Sequence, residues 1–216
     1  MVQERPPPPT PIRPVPVRFR ARVWTDVARI FSTICNPFLT ALALFVILAY
    51  QTTATPVAFW LQILQSTFFT SIAPMLAIFF MYATGRISDL DMSVREERSK
   101  VFGIFVVFYV LGTIELYVVH SPKIVIATMA GYAVSSVLVQ AITQYWKIST
   151  HALGVTAPIV VLIAVFSWLP LPLLVLIPVI GWARVYLKAH TVLQVVAGTI
   201  LGGTSTYLLL RLFGLA

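Results

Sequence analysis

The stretch IVIATMAGYAVSSVLVQAITQY, residues 124–145, runs from Ile124 to Tyr145 without one charged side chain. About 20 apolar residues of helix suffice to cross a hydrocarbon core roughly 30 Å thick. Inside a bilayer no water is available to the backbone amides, so a segment of this kind satisfies them only by coiling into a helix. Ala127, Gly131 and Ser135 recur in it every four residues, a stripe of small side chains suited to close helix packing, and Gly198 and Gly202 repeat the device later in the chain.

Working outward, comparable segments occupy residues 36–53, 57–84, 101–119, 151–168, 171–183 and 190–213, of which 171–183 is short and interrupted by Pro172 and Pro178. Across the 216 residues, 59% are hydrophobic and 10% charged, with a mean hydropathy of +0.92. Soluble domains run near 45–50% apolar and about 25% charged. The expected fold is therefore all-α, a polytopic integral membrane helical bundle of about six or seven transmembrane helices. Residues 1–20 hold seven prolines and several arginines and cannot bury a core. The next stretch, 21–33, sets Trp24, Val27, Ile30 and Phe31 at helical spacing beside Arg22, Asp26 and Arg29, as an interfacial helix does. The domains are accordingly a Pro/Arg-rich cytoplasmic tail and interfacial helix, 1–33, and a helical membrane domain, 34–216. The lone Cys35 excludes an internal disulfide and a zinc site of the usual spacing. It reads as a small packing residue, with acylation near the membrane edge as the alternative.

A net charge of +8 would suggest nucleic acid in a soluble protein. Here the positive residues collect in the tail and in alternate loops: Arg86, Arg95, Arg98 and Lys100, then Lys147, then Arg184 and Lys188. The other face offers Lys123 and Arg211. The positive-inside rule explains this pattern, placing the N-terminus and the three basic loops in the cytoplasm and the C-terminus outside. A nucleic acid partner is not expected; the lipid bilayer is.

Three polar segments thus fall on one membrane face: residues 86–100, then Lys147-Ile-Ser-Thr-His151, then Arg184-Val-Tyr-Leu-Lys-Ala-His190-Thr-Val-Leu-Gln194. Arginine and lysine hold phosphate through charge-assisted bonds. The helix starts at His151 and His190 add backbone N–H groups that favour an anion. Imidazole suits nucleophilic attack or proton transfer near neutral pH. Phosphoryl transfer at the level of the lipid headgroups is the chemistry these parts suit.

The run Ile148-Ser149-Thr150-His151, and Ala183-Arg184 followed after five residues by His190 and after three more by Gln194 and Val195-Val196-Ala197-Gly198, resemble the second and third motifs of the type 2 phosphatidic acid phosphatase and vanadium haloperoxidase superfamily. The resemblance covers about the last seventy residues. It implies that His190 attacks phosphorus and becomes phosphorylated, that His151 protonates the leaving group, and that Arg184 with the backbone near Ser149 holds the phosphate oxygens, Lys147 adding charge. It implies no metal and no other cofactor. Gln194 stands where the family has Asp, and Thr150 where it has Gly. The family's first motif is not present in its own form, and the phosphate-binding role falls to Arg95, Arg98 and Lys100 without a residue-by-residue match.

Other readings stay open. The 85–100 loop equally suits a solvated connector, and its Asp89 and Asp91 either hold magnesium against a diphosphate or pair with Arg95 and Arg98. Arg184 and Lys188 also suit anchors at the membrane edge, and Glu115 a contact with headgroups. The leading function is a lipid phosphatase or diphosphatase acting on phosphatidate or a polyprenyl phosphate. The rival is a non-catalytic lipid-binding or structural membrane subunit, favoured by Gln194 and Thr150. A prenyltransferase ranks third for want of a second Asp-rich loop, and a transporter below it.

Overall fold

In a computed structural model the described residues are 19–90 and 94–216, with the side chains of 19–21 and 95 excepted. The proline-rich tail before residue 19 and Asp91 lie outside them. In chain order the helices are α1 (Phe19–Ile34), α2 (Pro37–Thr52), α3 (Pro56–Thr67), α4 (Ala73–Ala83), α5 (Arg95–Val118), α6 (Lys123–Thr143), α7 (Thr150–Phe166), α8 (Leu176–Tyr186) and α9 (Val192–Leu212). A π turn, Phe68–Ile72, joins α3 to α4, and a 3₁₀ turn, Leu171–Val175, leads into α8. Among the described residues there is no strand.

Local chemistry sets these boundaries. Asn36 Oδ1 accepts from the Phe38 amide ahead of Pro37, and Thr55 Oγ1 accepts from the Ala58 amide ahead of Pro56, each a capped start with proline at the first helical position. The π turn ends just before Pro74, which has no N–H to offer and whose ring crowds the carbonyl four residues back; the wider turn makes room for it.

Four elements are long and apolar enough to cross a membrane: Pro56–Ala83, Glu96–Val118, Lys123–Thr143 and Val192–Leu212. Arg22–Ile34 with Pro37–Thr52 makes a fifth if the pair, bent by 47° at its break, is one span. Thr150–Phe166 and Leu171–Tyr186 are apolar but shorter. By length and composition this is four or five spans, against the six or seven expected. Those two shorter segments make the difference. Every residue of α7 from Ala152 to Ile159 is buried, so its first half is enclosed by protein.

Large apolar side chains cover the outside of the bundle, and exposed aromatic residues collect at the helix ends. Tyr50, Trp60, Tyr117 and Trp168 mark one end; Trp24, Tyr82, Tyr145 and Trp182 mark the other. Rings of amphipathic aromatics at two levels are the pattern of the two membrane–water interfaces. Inside, glycines set the closest approaches. A Cβ at Gly198 would overlap the Ser149 carbonyl oxygen, and one at Gly202 would lie 2.8 Å from the Leu153 carbonyl oxygen. The glycine stripe of α9 therefore seats the first turns of α7 directly on its backbone, as expected for tight packing. Cys35 is buried with Ala28, Val155, Ile159, Ile180 and Ala183, a packing role.

Candidate functional site

At the start of α7 the four N–H groups that lack an intrahelical partner can be followed one by one. The Ser149 amide donates to the Gln194 carbonyl at 3.1 Å. The Ala152 amide donates to Ser149 Oγ at 3.4 Å. Those of Thr150 and His151 remain, and both residues line a cavity of about 560 Å³. The helix dipole makes that pair of N–H groups a seat for negative charge.

The corner from α8 to α9 explains the five-residue gap between Arg184 and His190. Sequence reasoning stops the helix at residue 183, whereas α8 runs on to Tyr186, so Arg184 lies in its last turn, where a cation suits the helix dipole. The Lys188 amide then donates to the Val185 carbonyl at 2.9 Å and the Ala189 amide to the Arg184 carbonyl at 3.0 Å, with Lys188 in the left-handed region at φ +56°. This is a Schellman stop with lysine where glycine is usual. Two residues later Thr191 caps α9, accepting from the Gln194 amide at 3.3 Å, while Gln194 Oε1 accepts from the Thr191 amide at 3.1 Å. Arg184 and His190 are thus separated by one helix stop and one helix start.

That capping box also fixes the chemistry of His190. Gln194 Oε1 lies 3.2 Å from His190 Nδ1. An oxygen already accepting from an amide is an acceptor, so Nδ1 must carry the proton. Nε2 is then the nitrogen with a free lone pair. Burial first, then the charges of Lys147 and Arg184, push the His190 imidazole down to about 4; the Gln194 bond opposes this, and Arg98 adds to it. At neutral pH the ring is uncharged and nucleophilic.

Arg184 Nη1 donates to Ser32 Oγ at 2.6 Å, and the Ser32 backbone also reaches the His151 ring. His151 Nδ1 is buried and has no hydrogen-bond partner. Burial first, then the Arg184 charge and the nearby His190, push the His151 imidazole down to about 3. The three junctions anticipated from sequence do meet: Arg98, Lys147, Thr150, His151, Arg184 and His190 all line the one cavity. Arg98, although cationic, is only 8% exposed.

Other candidates lie elsewhere. Lys100 faces a separate shallow groove with Arg86, because two residues along a helix turn a side chain by about 200° from Arg98. Ser149 is fully buried beneath the site, its side chain and amide both engaged, so it supports α7 without lining the cavity. Gln194 acts behind His190. Arg95 begins α5, and its side chain is outside the described residues, as is Asp91. Asp89 stays near Ser88, which donates its amide and hydroxyl to Glu97. Glu115 lies away from the cavity and accepts from Gln65 Nε2 at 2.6 Å.

Sequence reasoning missed Ser32 and Asn36 and read Lys188 only as a basic anchor; all three line the cavity. A signal for the cap existed: Thr191-x-x-Gln194 is a capping-box pattern. No family model, no curated protein and no solved structure matches this chain.

Proposed function

We propose that this chain is a membrane-embedded lipid phosphatase or diphosphatase of the phosphatidic acid phosphatase type, working through a phospho-histidine at the cytoplasmic leaflet. The observation that carries the reading is His190: a neutral imidazole, its Nδ1–H tied to Gln194, set against a cavity wall with Arg98, Lys147, Arg184 and His151. The phosphate sits among the guanidinium groups and the Thr150 and His151 amides, with the lipid ester oxygen toward His151. His190 Nε2 attacks phosphorus as the P–O bond breaks, and His151 gives its proton to the departing alkoxide. Water then loses a proton to His151 and attacks the phosphorus; the N–P bond breaks, releasing phosphate and restoring Nε2. Burial and the Arg184 charge keep His151 unprotonated in the empty cavity, so the proton it delivers enters with the phosphate monoanion, whose negative charge raises the ring's hold on it. Basic residues at the ends of α4, α6 and α8 support a cytoplasmic site under the positive-inside rule.

The test is phosphate release by the purified protein from a panel of lipid mono- and diphosphates. His190→Ala should lower turnover by roughly a thousandfold or more. Equal turnover by variant and parent removes His190 from the mechanism. A second reading, a lipid-binding subunit without turnover, is favoured by one observation: no carboxylate is among the described residues lining the cavity, so nothing negative backs His190. Retained anionic lipid with no phosphate release from any substrate would establish it over the first.

A further inference from the structure

The cavity has a depth as well as a mouth. Along α5, Arg98, Phe102, Phe105 and Tyr109 recur at steps of four, three and four, which keeps them on one helix face, and all four line the cavity. At 1.5 Å per residue this stripe runs about 16 Å inward from Arg98. The rings touch in sequence. Phe102 meets Phe105 at 5.5 Å, Phe105 meets Tyr109 at 6.1 Å, and Tyr109 meets Tyr132 of α6 at 5.7 Å between centroids.

Tyr132 ends the open space. It packs against the cluster around Phe102 and Phe105 on one side and against the closed cluster around Phe45, Leu116 and Leu162 on the other. Its ring lies 6.0 Å from that of Phe45. Beyond it is a second void of about 20 Å³, bordered by Leu44, Val161 and Leu210; Tyr132, Ser135 and Leu153 belong to the walls of both spaces. The Tyr132 hydroxyl is buried without a hydrogen-bond partner, so packing alone holds the ring in place.

We infer that Tyr109 and Tyr132 form the floor of a chain-binding tunnel and set the longest hydrocarbon chain the site accepts. The inference rests on the proposed reading of the cationic mouth as a phosphate site. A chain held there from Arg98 to Tyr109 spans about half of a roughly 30 Å hydrocarbon core, the depth of one leaflet. At about 560 Å³ the space is that of a small-molecule site. The ligand class is a phosphate monoester with one linear chain no longer than a leaflet, in preference to a long polyprenyl chain; a two-chain lipid would leave one chain outside.

Binding of n-alkyl phosphates from butyl to octadecyl to the full chain in nanodiscs, with phosphate release followed in parallel, tests this. Affinity should climb with chain length and then fall tenfold or more once the floor is reached. Tyr132→Ala joins the two voids and should move that break to longer chains, while Tyr132→Phe keeps it. Where Tyr132→Ala does not fold, Tyr109→Leu, which trims the other half of the floor, takes its place with the same expected shift. A profile without a break, or a break that neither truncation moves, overturns the floor. A break without phosphate release keeps the floor and overturns the phosphatase; release without a break does the reverse. Failure to bind both the alkyl series and inorganic phosphate overturns both.

Discussion

At one end of the bundle the helices stand apart around a cavity of about 560 Å³; at the other the same helices close on Leu44, Phe45, Leu48, Leu116, Val125 and Met129, each no more than 1% exposed. The open end gathers Arg98, Lys147, Arg184, Lys188, His151 and His190, and the closed end has no charged residue in its core cluster. Cations that repel one another cannot be packed tightly, whereas in lipid, where apolar side chains gain little by leaving their surroundings, dense packing is what joins helices. Under the proposed function the contrast assigns stability to one half and chemistry to the other.

A pair of substitutions tests that division most strongly. Phe45→Ala should cost about 3 kcal/mol in thermal unfolding, the low end of the range for soluble cores, and leave phosphate turnover per folded molecule unchanged. Arg184→Ala should do the opposite, lowering kcat/KM about a hundredfold through lost charge-assisted bonds while stability moves little. Both substitutions affecting both readouts equally would erase the distinction.

The seam between the halves is more delicate. Gly198→Ala drives a methyl into the Ser149 carbonyl and should cost about 1–3 kcal/mol. Gly203→Ala, whose Cβ would meet Thr156 Cγ2 at 3.5 Å, should stay within about 1 kcal/mol of the parent in the same unfolding assay. A finer probe is Thr150→Pro, which removes one of the two amides left for an anion while keeping a residue tolerated at a first helical position. Vanadate or phosphate affinity should fall about tenfold with the helix content intact.

The smallest effects are titrations. The folded His190 midpoint lies near pH 4, below its unfolded value of 6.5. Between these values the folded chain binds fewer protons, so stability from this group is full above about pH 6.5 and declines as pH falls toward 4. By NMR, Lys147→Ala should raise the midpoint by removing a neighbouring charge. Gln194→Glu should raise it as well, keeping the acceptor position and adding a negative charge. A midpoint unmoved by both would mean that burial alone sets it.

Much of this was legible in the chain. The apolar runs gave most of the helices within a few residues, although α5 begins at Arg95, inside the stretch read as a loop, and the segment from 171 opens with a 3₁₀ turn before α8. Arg98, Lys147, His151, Arg184 and His190, expected on one face, line one cavity. What escaped was angular and local. Arg98 and Lys100 look alike in a list of cations, yet helix rotation turns one to the cavity and the other away. Ser32 sits in a helix read as interfacial, and nothing in its neighbours announces a bond to a residue 152 positions on. Four or five helices reach spanning length, and the two further apolar segments of the expected count, Thr150–Phe166 and Leu171–Tyr186, are shorter.

The Ser149 amide bound to the Gln194 carbonyl joins the helix bearing His151 to the helix that begins just after His190. Both atoms belong to the main chain, so no side-chain exchange at either position removes the tie as long as proline is kept from residue 149. The register of the two helices is in this way insulated from substitution. Side chains at 149 and 194 can change while this main-chain link between the two helices is kept.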